Sequence, residues 1–158
     1  NLCAFLTTIE KSPEDCFFTN AIMGIRKSDV STGKSPAFKD QKFIQDCQKF
    51  FLYQIEIQKP KVIFVLGKYV AEFLSFTSEE FALTLMDLSS WKSIKNFATL
   101  DKKGNQIKKD IIFKNGIKTN LVILTHPSFR HANVHRRSFN NHFGYEAEIK
   151  MVQEIFKT

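Results

Sequence analysis

The sequence is poor in cysteine and has no long apolar run. Its three cysteines, Cys3, Cys16 and Cys47, fit neither a disulfide framework nor a zinc ribbon, because they are odd in number and widely spaced. No segment reaches the roughly 18 consecutive apolar residues that a membrane span needs. The first residues lack the basic flank and the cleavage site of a secretory signal. These absences predict reduced, mostly buried thiols in an intracellular protein that has no membrane partner.

The sequence also has no internal repeat and no low-complexity tract. The chain has 158 residues, of which 43% are hydrophobic. That length suits one domain with a sizeable core. We therefore expect a single domain over residues 1–158, acting as a monomer in the cytoplasm, and associated with the nucleoid if the source is bacterial.

Acidic residues are absent from one long stretch of a chain whose net charge is +7. Between Ile111 and Tyr145 there is no Asp or Glu, and all four histidines lie there. The cations of this stretch are Lys114, Lys118, Arg130, Arg136 and Arg137. A one-signed surface of this kind suits phosphates, so nucleic acid is the expected partner.

The first half of the chain predicts a strand, a loop and a helix. Residues 16–22 have the composition of a short buried strand, and residues 27–39 that of an exposed loop. From Asp40 onward, apolar residues recur at helical spacing until Pro60. They are Ile44, Cys47, Phe51 and Ile55.

The second half begins with a βα unit. Residues 61–67 read as a strand buried on both faces, and Gly67 permits a turn into a helix over residues 68–76. Residues 77–109 look irregular, with one amphipathic piece near residues 81–88. Asn115-Gly116 predicts a hairpin with a type I′ turn, and residues 143–156 predict a final helix.

Strands that alternate with helices predict an α/β fold, here a three-layer α/β/α domain with a small, mainly parallel central sheet. Ligands of such sheets bind beyond the carboxyl ends of the strands. Asn20, Gly67 and His126 are the expected residues at those ends. Taken alone, an Asn that caps a turn or a His satisfied by backbone would be the commoner arrangement.

Two segments resemble the uracil-DNA glycosylase superfamily. They are FFTNAIMGIR, residues 17–26, and LTHPSFR, residues 124–130, with KPKVIFVLG, residues 59–67, between them in matching order. The resemblance implies that Asn20 reads the Watson–Crick edge of a base flipped out of DNA. It also implies that His126 is catalytic and donates a hydrogen bond to O2 of the departing base.

The same resemblance implies DNA contacts at Ser128, Arg130, Arg136 and Arg137, with residues 129–137 at or near the minor groove. Pro127 would shape the loop. Family members that carry an iron–sulfur cluster have further cysteines, one of them four residues after the strand Asn. Gly24 occupies that position here and Cys47 is a lone match, so we expect neither a cofactor nor a bound metal.

The family's first motif, a loop whose Asp, Asn or Glu positions the attacking water, has no counterpart in residues 1–19. Two explanations are open. Either the motif and its strand lie outside this sequence, which we favour because a sheet without that strand would leave backbone groups unpaired, or the chain is a non-catalytic relative that binds DNA or a base. The expected function is a DNA glycosylase that flips uracil, or a related deaminated base, and hydrolyses its N-glycosidic bond.

One alternative from another class is a metal-dependent nuclease or hydrolase. His131 and His135 are four residues apart, so on a helix they would share one face, and His126 or His142 would be a third ligand. The acidic base that usually accompanies such a pair is missing, since Val134 and Arg136 flank His135.

Overall fold

The computed structural model describes residues 2–24, 35–86 and 97–157. The helices are α1 (Leu2–Thr8), α2 (Gln41–Gln58), α3 (Lys68–Ser75), α4 (Glu79–Met86), α5 (Phe97–Lys102), α6 (Arg130–Asn133) and α7 (Gly144–Ile155). The strands are β1 (Val62–Leu66), β2 (Ile107–Ile112), β3 (Lys118–Leu124), β4 (Ser138–Phe139) and β5 (His142–Phe143). Short 3₁₀ turns cover Pro13–Asp15, Pro36–Lys39, Pro127–Phe129 and Val134–Arg136.

The main sheet has three strands in the order β1-β3-β2. β1 and β3 run parallel, with Leu66 opposite Leu124 at their carboxyl ends, and β2 pairs antiparallel with β3. The register of β2 shifts between Lys108 and Ile111, where Asp110 adopts a positive φ of 61°. The α/β class is confirmed, and β3 is the central strand.

The two faces of β3 pack against different helices, because successive side chains of a strand point to opposite sides. Leu121 and Ile123 join one buried cluster with the apolar faces of α2, α3, α4 and α5. Val122 and Leu124 join a second cluster with α1 and α7. The sheet therefore lies between two helical layers, as the sequence predicts.

α2 confirms the helix predicted from apolar spacing. Its four buried residues are those expected, Ile44, Cys47, Phe51 and Ile55. Asp40 caps the helix, since its carboxylate accepts a hydrogen bond from the Phe43 N–H at 3.0 Å. Burial of a side chain as large as Ile or Phe contributes roughly 1.5–3 kcal/mol, so this face fixes α2 on the sheet.

The cysteines differ in their surroundings, and no disulfide joins them. Cys47 is buried, Cys16 is partly buried and Cys3 is exposed, so the expectation of mostly buried thiols holds for Cys47 alone. Cys16 donates to the Ser12 carbonyl at 3.3 Å. Burial raises the pKa of the Cys16 thiol, and the neighbouring Asp15 charge adds to the rise, which favours an unreactive protonated thiol.

The strand predicted for residues 16–22 is wrong. Residues 16–20 form no helix or strand, and Phe17 and Phe18 are 53% and 55% exposed. Ala21 and Ile22 instead pack against the α2 side of the core. Strand preference depends on a neighbouring strand, and none pairs with this segment among the described residues. Of the predicted loop at 27–39, residues 27–34 lie outside the described ranges.

Both hairpins use asparagine, but in different ways. At Asn115-Gly116 the predicted hairpin is present while the predicted type I′ turn is wrong: Gly116 has a φ of 80°, and Asn115 is not in the positive-φ region. Asn115 donates its side-chain amide to the Leu52 carbonyl at 2.7 Å, which ties the loop to α2. The turn with two positive φ values, 48° and 66°, is Asn140-Asn141 between β4 and β5.

The middle section is more regular than expected, because α4 and α5 lie within residues 77–109. The predicted piece near residues 81–88 falls mostly within α4, and its last residues lie outside the described ranges. β1, predicted to be buried on both faces, is mostly half-buried, with only Val65 fully covered. Within the described ranges no helix combines the length and the apolar character that a membrane crossing requires.

Candidate functional site

The site begins at the carboxyl ends of the parallel strands. The Gly67 N–H donates to the Leu124 carbonyl at 2.8 Å, which extends the pairing of β1 and β3 by one residue. Gly67 has a φ of 96° as the chain turns into α3. A Cβ at position 67 would lie 3.4 Å from the Cβ of His126. Two of the three residues expected at the strand ends, Gly67 and His126, therefore meet.

His126 is exposed and begins the 3₁₀ turn Pro127–Phe129. Its Nδ1 accepts a hydrogen bond from the Ser128 backbone N–H at 3.2 Å. A nitrogen that accepts carries no proton, so the neutral ring has its proton on Nε2. The exposed ring can donate this Nε2–H to a ligand. The ring of Phe129 lies beside it, with ring centroids 6.4 Å apart.

Thr125, directly before His126, is fixed from below by Glu148 of α7. The Thr125 N–H donates to Glu148 Oε1 at 2.7 Å, and its hydroxyl donates to Oε2 at 3.2 Å. Thr125 is 1% exposed and Glu148 is completely buried. One carboxylate thus holds both the backbone and the side chain of the residue that leads into the His126 loop.

Arg137 is buried rather than available to DNA. Its Nε and Nη2 donate to the two carboxylate oxygens of Asp101 at 2.9 and 3.0 Å, and its Nη1 donates to Glu148 at 2.9 Å. The side chain has no exposed surface. The prediction that Arg137 contacts DNA is therefore wrong. Although residues 111–145 contain no Asp or Glu, Arg137 contacts two carboxylates from outside that stretch, Asp101 of α5 and Glu148 of α7.

Arg130 is also occupied. Its Nη1 lies 2.6 Å from Glu148 Oε2, and its guanidinium carbon lies over the rings of Phe5 and Tyr145, 4.8 and 4.7 Å from their centroids. Only 15% of the side chain is exposed. Its Nη2 is buried without a hydrogen-bond partner in the described structure. Arg130 was expected to contact a DNA phosphate, but its charge is already balanced by Glu148.

Ser128 and Arg136 remain on the surface. Of the other expected cations, Lys118 pairs with Asp110 at 3.0 Å. Lys114 and Arg136 are exposed and make no ion pair within the described parts of the chain. The basic surface is thus smaller than the sequence predicts, and Arg136 is its one cation on the loop that follows His126.

Asn20 does not end a strand. It is exposed, and its neighbour Thr19 donates a hydrogen bond to the Gln54 side chain of α2 at 3.0 Å. The sheet that presents His126 contains β1, β2 and β3 and does not include the segment of Asn20. The expectation that Asn20, like His126, lies at the end of a strand is therefore not met.

The histidines assemble no metal site in the part of the chain that the structure describes. His131 lies in α6 and His135 in the next 3₁₀ turn, and the chain leaves helical geometry at Asn133, whose φ is −126°. The pair therefore does not share one helical face. His142 Nδ1 lies 2.9 Å from Glu146. The metal-dependent alternative has no ligand set here.

Sequence reasoning missed Asp101 and Glu148, the two carboxylates below the loop. Glu148 had a usable signal, because it lies on the same buried face of α7 as Ala147, Met151 and Val152. A carboxylate on an apolar face needs a cationic partner. Asp101 had no such signal, since α5 was not predicted.

Fold and site define an α/β protein with an exposed histidine just beyond the carboxyl end of its central strand. A family model, the uracil DNA glycosylase superfamily, matches residues 1–148. The chain belongs to the uracil DNA glycosylase superfamily, which confirms the resemblance seen in sequence and supports a glycosylase-type function on DNA. Searches of curated proteins and of solved structures find no significant match.

Proposed function

We propose that this protein is a DNA N-glycosylase that flips uracil, or a related deaminated base, out of DNA and hydrolyses its N-glycosidic bond. The observation that carries the proposal is the hydrogen bond that His126 accepts at Nδ1. Its Nδ1 is occupied by the Ser128 N–H, so the exposed Nε2–H is the group that meets a ligand. Membership of the superfamily supplies the reaction class.

In the proposed reaction, the bond between C1′ of the sugar and N1 of the base breaks, and its electron pair moves onto the base. Negative charge then develops on the base O2, to which the His126 Nε2–H donates. A fixed donor at a site of developing charge contributes on the order of 3–4 kcal/mol to the transition state. A water oxygen forms the new bond to C1′, and the proton that this water loses ends on the departing base. No residue of this chain is proposed as the group that orients the water.

Asn20 is the proposed reader of the base. Its amide can accept from N3–H and donate to O4 of uracil, a pattern that cytosine does not match. The side chain is exposed, which leaves it accessible to a base. The Thr19 hydrogen bond to Gln54 connects its segment to α2.

The proposed DNA contacts are Ser128 and Arg136. Both are exposed, and they lie in the two 3₁₀ turns, Pro127–Phe129 and Val134–Arg136, that follow His126. Arg130 and Arg137 are instead proposed to support this loop from inside, since their charges are used by Glu148 and Asp101. The phosphate contacts position DNA and carry no sequence information.

The test uses two oligonucleotides that differ only in one uracil or one thymine at the same position. Binding and release of the free base are measured for both with the unaltered chain. Release of uracil, with an alkali-labile abasic site, supports the proposal. Tight binding to the uracil strand without release would identify the non-catalytic relative, and equal weak binding to both strands would contradict base recognition altogether.

A further inference from the structure

Both carboxylate oxygens of Glu148 accept hydrogen bonds from the same residue, Thr125. The donors are the Thr125 N–H, at 2.7 Å, and the Thr125 hydroxyl, at 3.2 Å. Thr125 is the first residue after β3, and His126 is the second. The carboxylate therefore fixes the chain at the point where it leaves the sheet and begins to present the imidazole.

The carboxylate is itself held from two sides. Arg137 Nη1 contacts Oε1 at 2.9 Å and Arg130 Nη1 contacts Oε2 at 2.6 Å. Arg137 is oriented in turn by Asp101, whose Oδ2 also accepts the Ser138 N–H at 2.8 Å. The network contains two guanidinium groups and two carboxylates, so their formal charges cancel.

Burial of such a network is a poor route to stability, because desolvation of the charges offsets most of their attraction. Its geometric effect is larger. Each Glu148 oxygen has a cation and a Thr125 donor, which leaves the carboxylate one orientation and Thr125 one position. The loop beyond it is then fixed at both ends, by Glu148 at Thr125 and by the Ser128 N–H at His126 Nδ1.

We propose that Glu148 is a positioning residue: by holding Thr125, it sets the orientation of the His126 ring and the direction of its Nε2–H. The consequence for base release rests on the proposed function. The positioning itself does not, because it has a signature in the loop of the unliganded protein. That signature is the hydrogen bond from the Ser128 N–H to His126 Nδ1.

Three variants separate positioning from simple stability. Glu148→Gln keeps the size of the side chain but turns one acceptor into a donor, which must face Thr125 or an arginine. Thr125→Val removes the hydroxyl, with its bond to Glu148 Oε2 and the bond that it accepts from Arg130 Nη1 at 3.4 Å. It leaves the ion pairs of Glu148 with Arg130 and Arg137 in place, so it stays informative if Glu148→Gln fails to fold. Thr125→Ser keeps the hydroxyl and is the conservative rescue.

The matched control is Glu154→Gln, the same change on the same helix α7. Glu154 is partly exposed and pairs with Lys109 and Lys157 at the surface. It should leave the loop unchanged. Melting temperatures of all variants establish that each one is folded.

The primary measurement is NMR of the unliganded chain: the Ser128 amide shift and exchange rate, and the ring nitrogen shifts of His126. In Glu148→Gln and Thr125→Val we expect Ser128 exchange to rise about tenfold while amides of α2 keep their rates. Thr125→Ser and Glu154→Gln should match the parent. Unchanged Ser128 and His126 signals in folded Glu148→Gln and Thr125→Val would overturn the proposal, as would equal acceleration across α2.

Base release is the second readout. If the parent cleaves uracil DNA, Thr125→Val should lower kcat roughly 10- to 100-fold with KM unchanged, because the donor is misplaced and the substrate contacts remain. Absence of cleavage in the parent would contradict the proposed function alone. The NMR comparison would still decide whether Glu148 positions His126.

Discussion

Gly67 and His126 lie against each other where the two parallel strands end, so that a Cβ on Gly67 would approach the His126 Cβ to 3.4 Å. Gly67 also has a φ of 96°, a conformation that side chains with a Cβ rarely adopt. Gly67 therefore allows the chain to turn into α3 and, because it has no side chain, leaves room for His126. The consequence is a glycine whose replacement should affect the site as well as the backbone.

Gly67→Ala should destabilise the fold by about 1–3 kcal/mol, the range for a residue held in strained backbone geometry. It should also lower base release, because the backbone at position 67 must shift to relieve this strain, and its new methyl group lies in van der Waals contact with His126. Gly104→Ala is the control, since Gly104 has a φ of 68° and open space around it. Denaturant unfolding and base release are measured for both. A Gly67 variant as active as the Gly104 variant would contradict the close approach to His126.

Arg137→Ala should destabilise the protein strongly, by about 3–5 kcal/mol, because Asp101 and Glu148 would stay buried with too few partners. Arg136→Ala is the neighbouring control, and its exposed side chain predicts little change. Thermal and denaturant unfolding of the two single variants provide the comparison. Similar melting temperatures would mean that Arg137 is not buried in solution.

Arg136→Ala should weaken DNA binding across sequences and reduce the slope of log Kd against log salt by about one unit, because one phosphate contact is lost. Lys49→Ala on α2 removes the same charge from an exposed pair with Asp46 and serves as control. Binding is measured at several salt concentrations with uracil-free DNA. A slope that changes for Lys49 but not for Arg136 would place DNA on the α2 face.

Asn20→Asp tests the proposed base reading. The carboxylate loses the donors that uracil O4 requires and gains an acceptor for the cytosine N4 hydrogen. In the parent, the Asn20 amide bound against cytosine leaves a polar group unpaired, which costs about 1–3 kcal/mol. The carboxylate of the Asn20→Asp variant removes this mismatch, so we expect the variant to lose uracil release and to gain a slow release of cytosine. Matched oligonucleotides with one uracil or one cytosine report the change. If uracil is still cut at the parental rate, Asn20 does not face the base.

Local signals predicted much of this fold. The spacing of Ile44, Cys47 and Phe51, with Asp40 as a cap, specifies α2 because each contact lies within the helix or directly beneath it. The apolar run of β1 and the turn at Gly67 were equally local. Local sequence does not specify which strand lies alongside another. Residues 16–22 were therefore wrongly predicted as a strand, because their composition suits a strand although none pairs with them among the described residues.

The charges of the site show the same division. His126 was predicted at a strand end from residues beside it. The burial of Arg137 depends on Asp101, which lies 36 residues away on a helix that the sequence did not predict. An arginine in an acid-free stretch therefore looked exposed, although its counterions come from other elements of the fold.

The role of His126 is tested most directly by single-turnover release of uracil from DNA by the parent, His126→Ala and His131→Ala, with DNA affinity measured for each. His131 is exposed on the same loop and controls for loss of an imidazole. The account predicts a rate loss on the order of a hundredfold or more for His126→Ala, nearly unchanged affinity, and a parental rate for His131→Ala. A His126 variant that releases uracil at the parental rate, or loses rate and affinity equally, would contradict it.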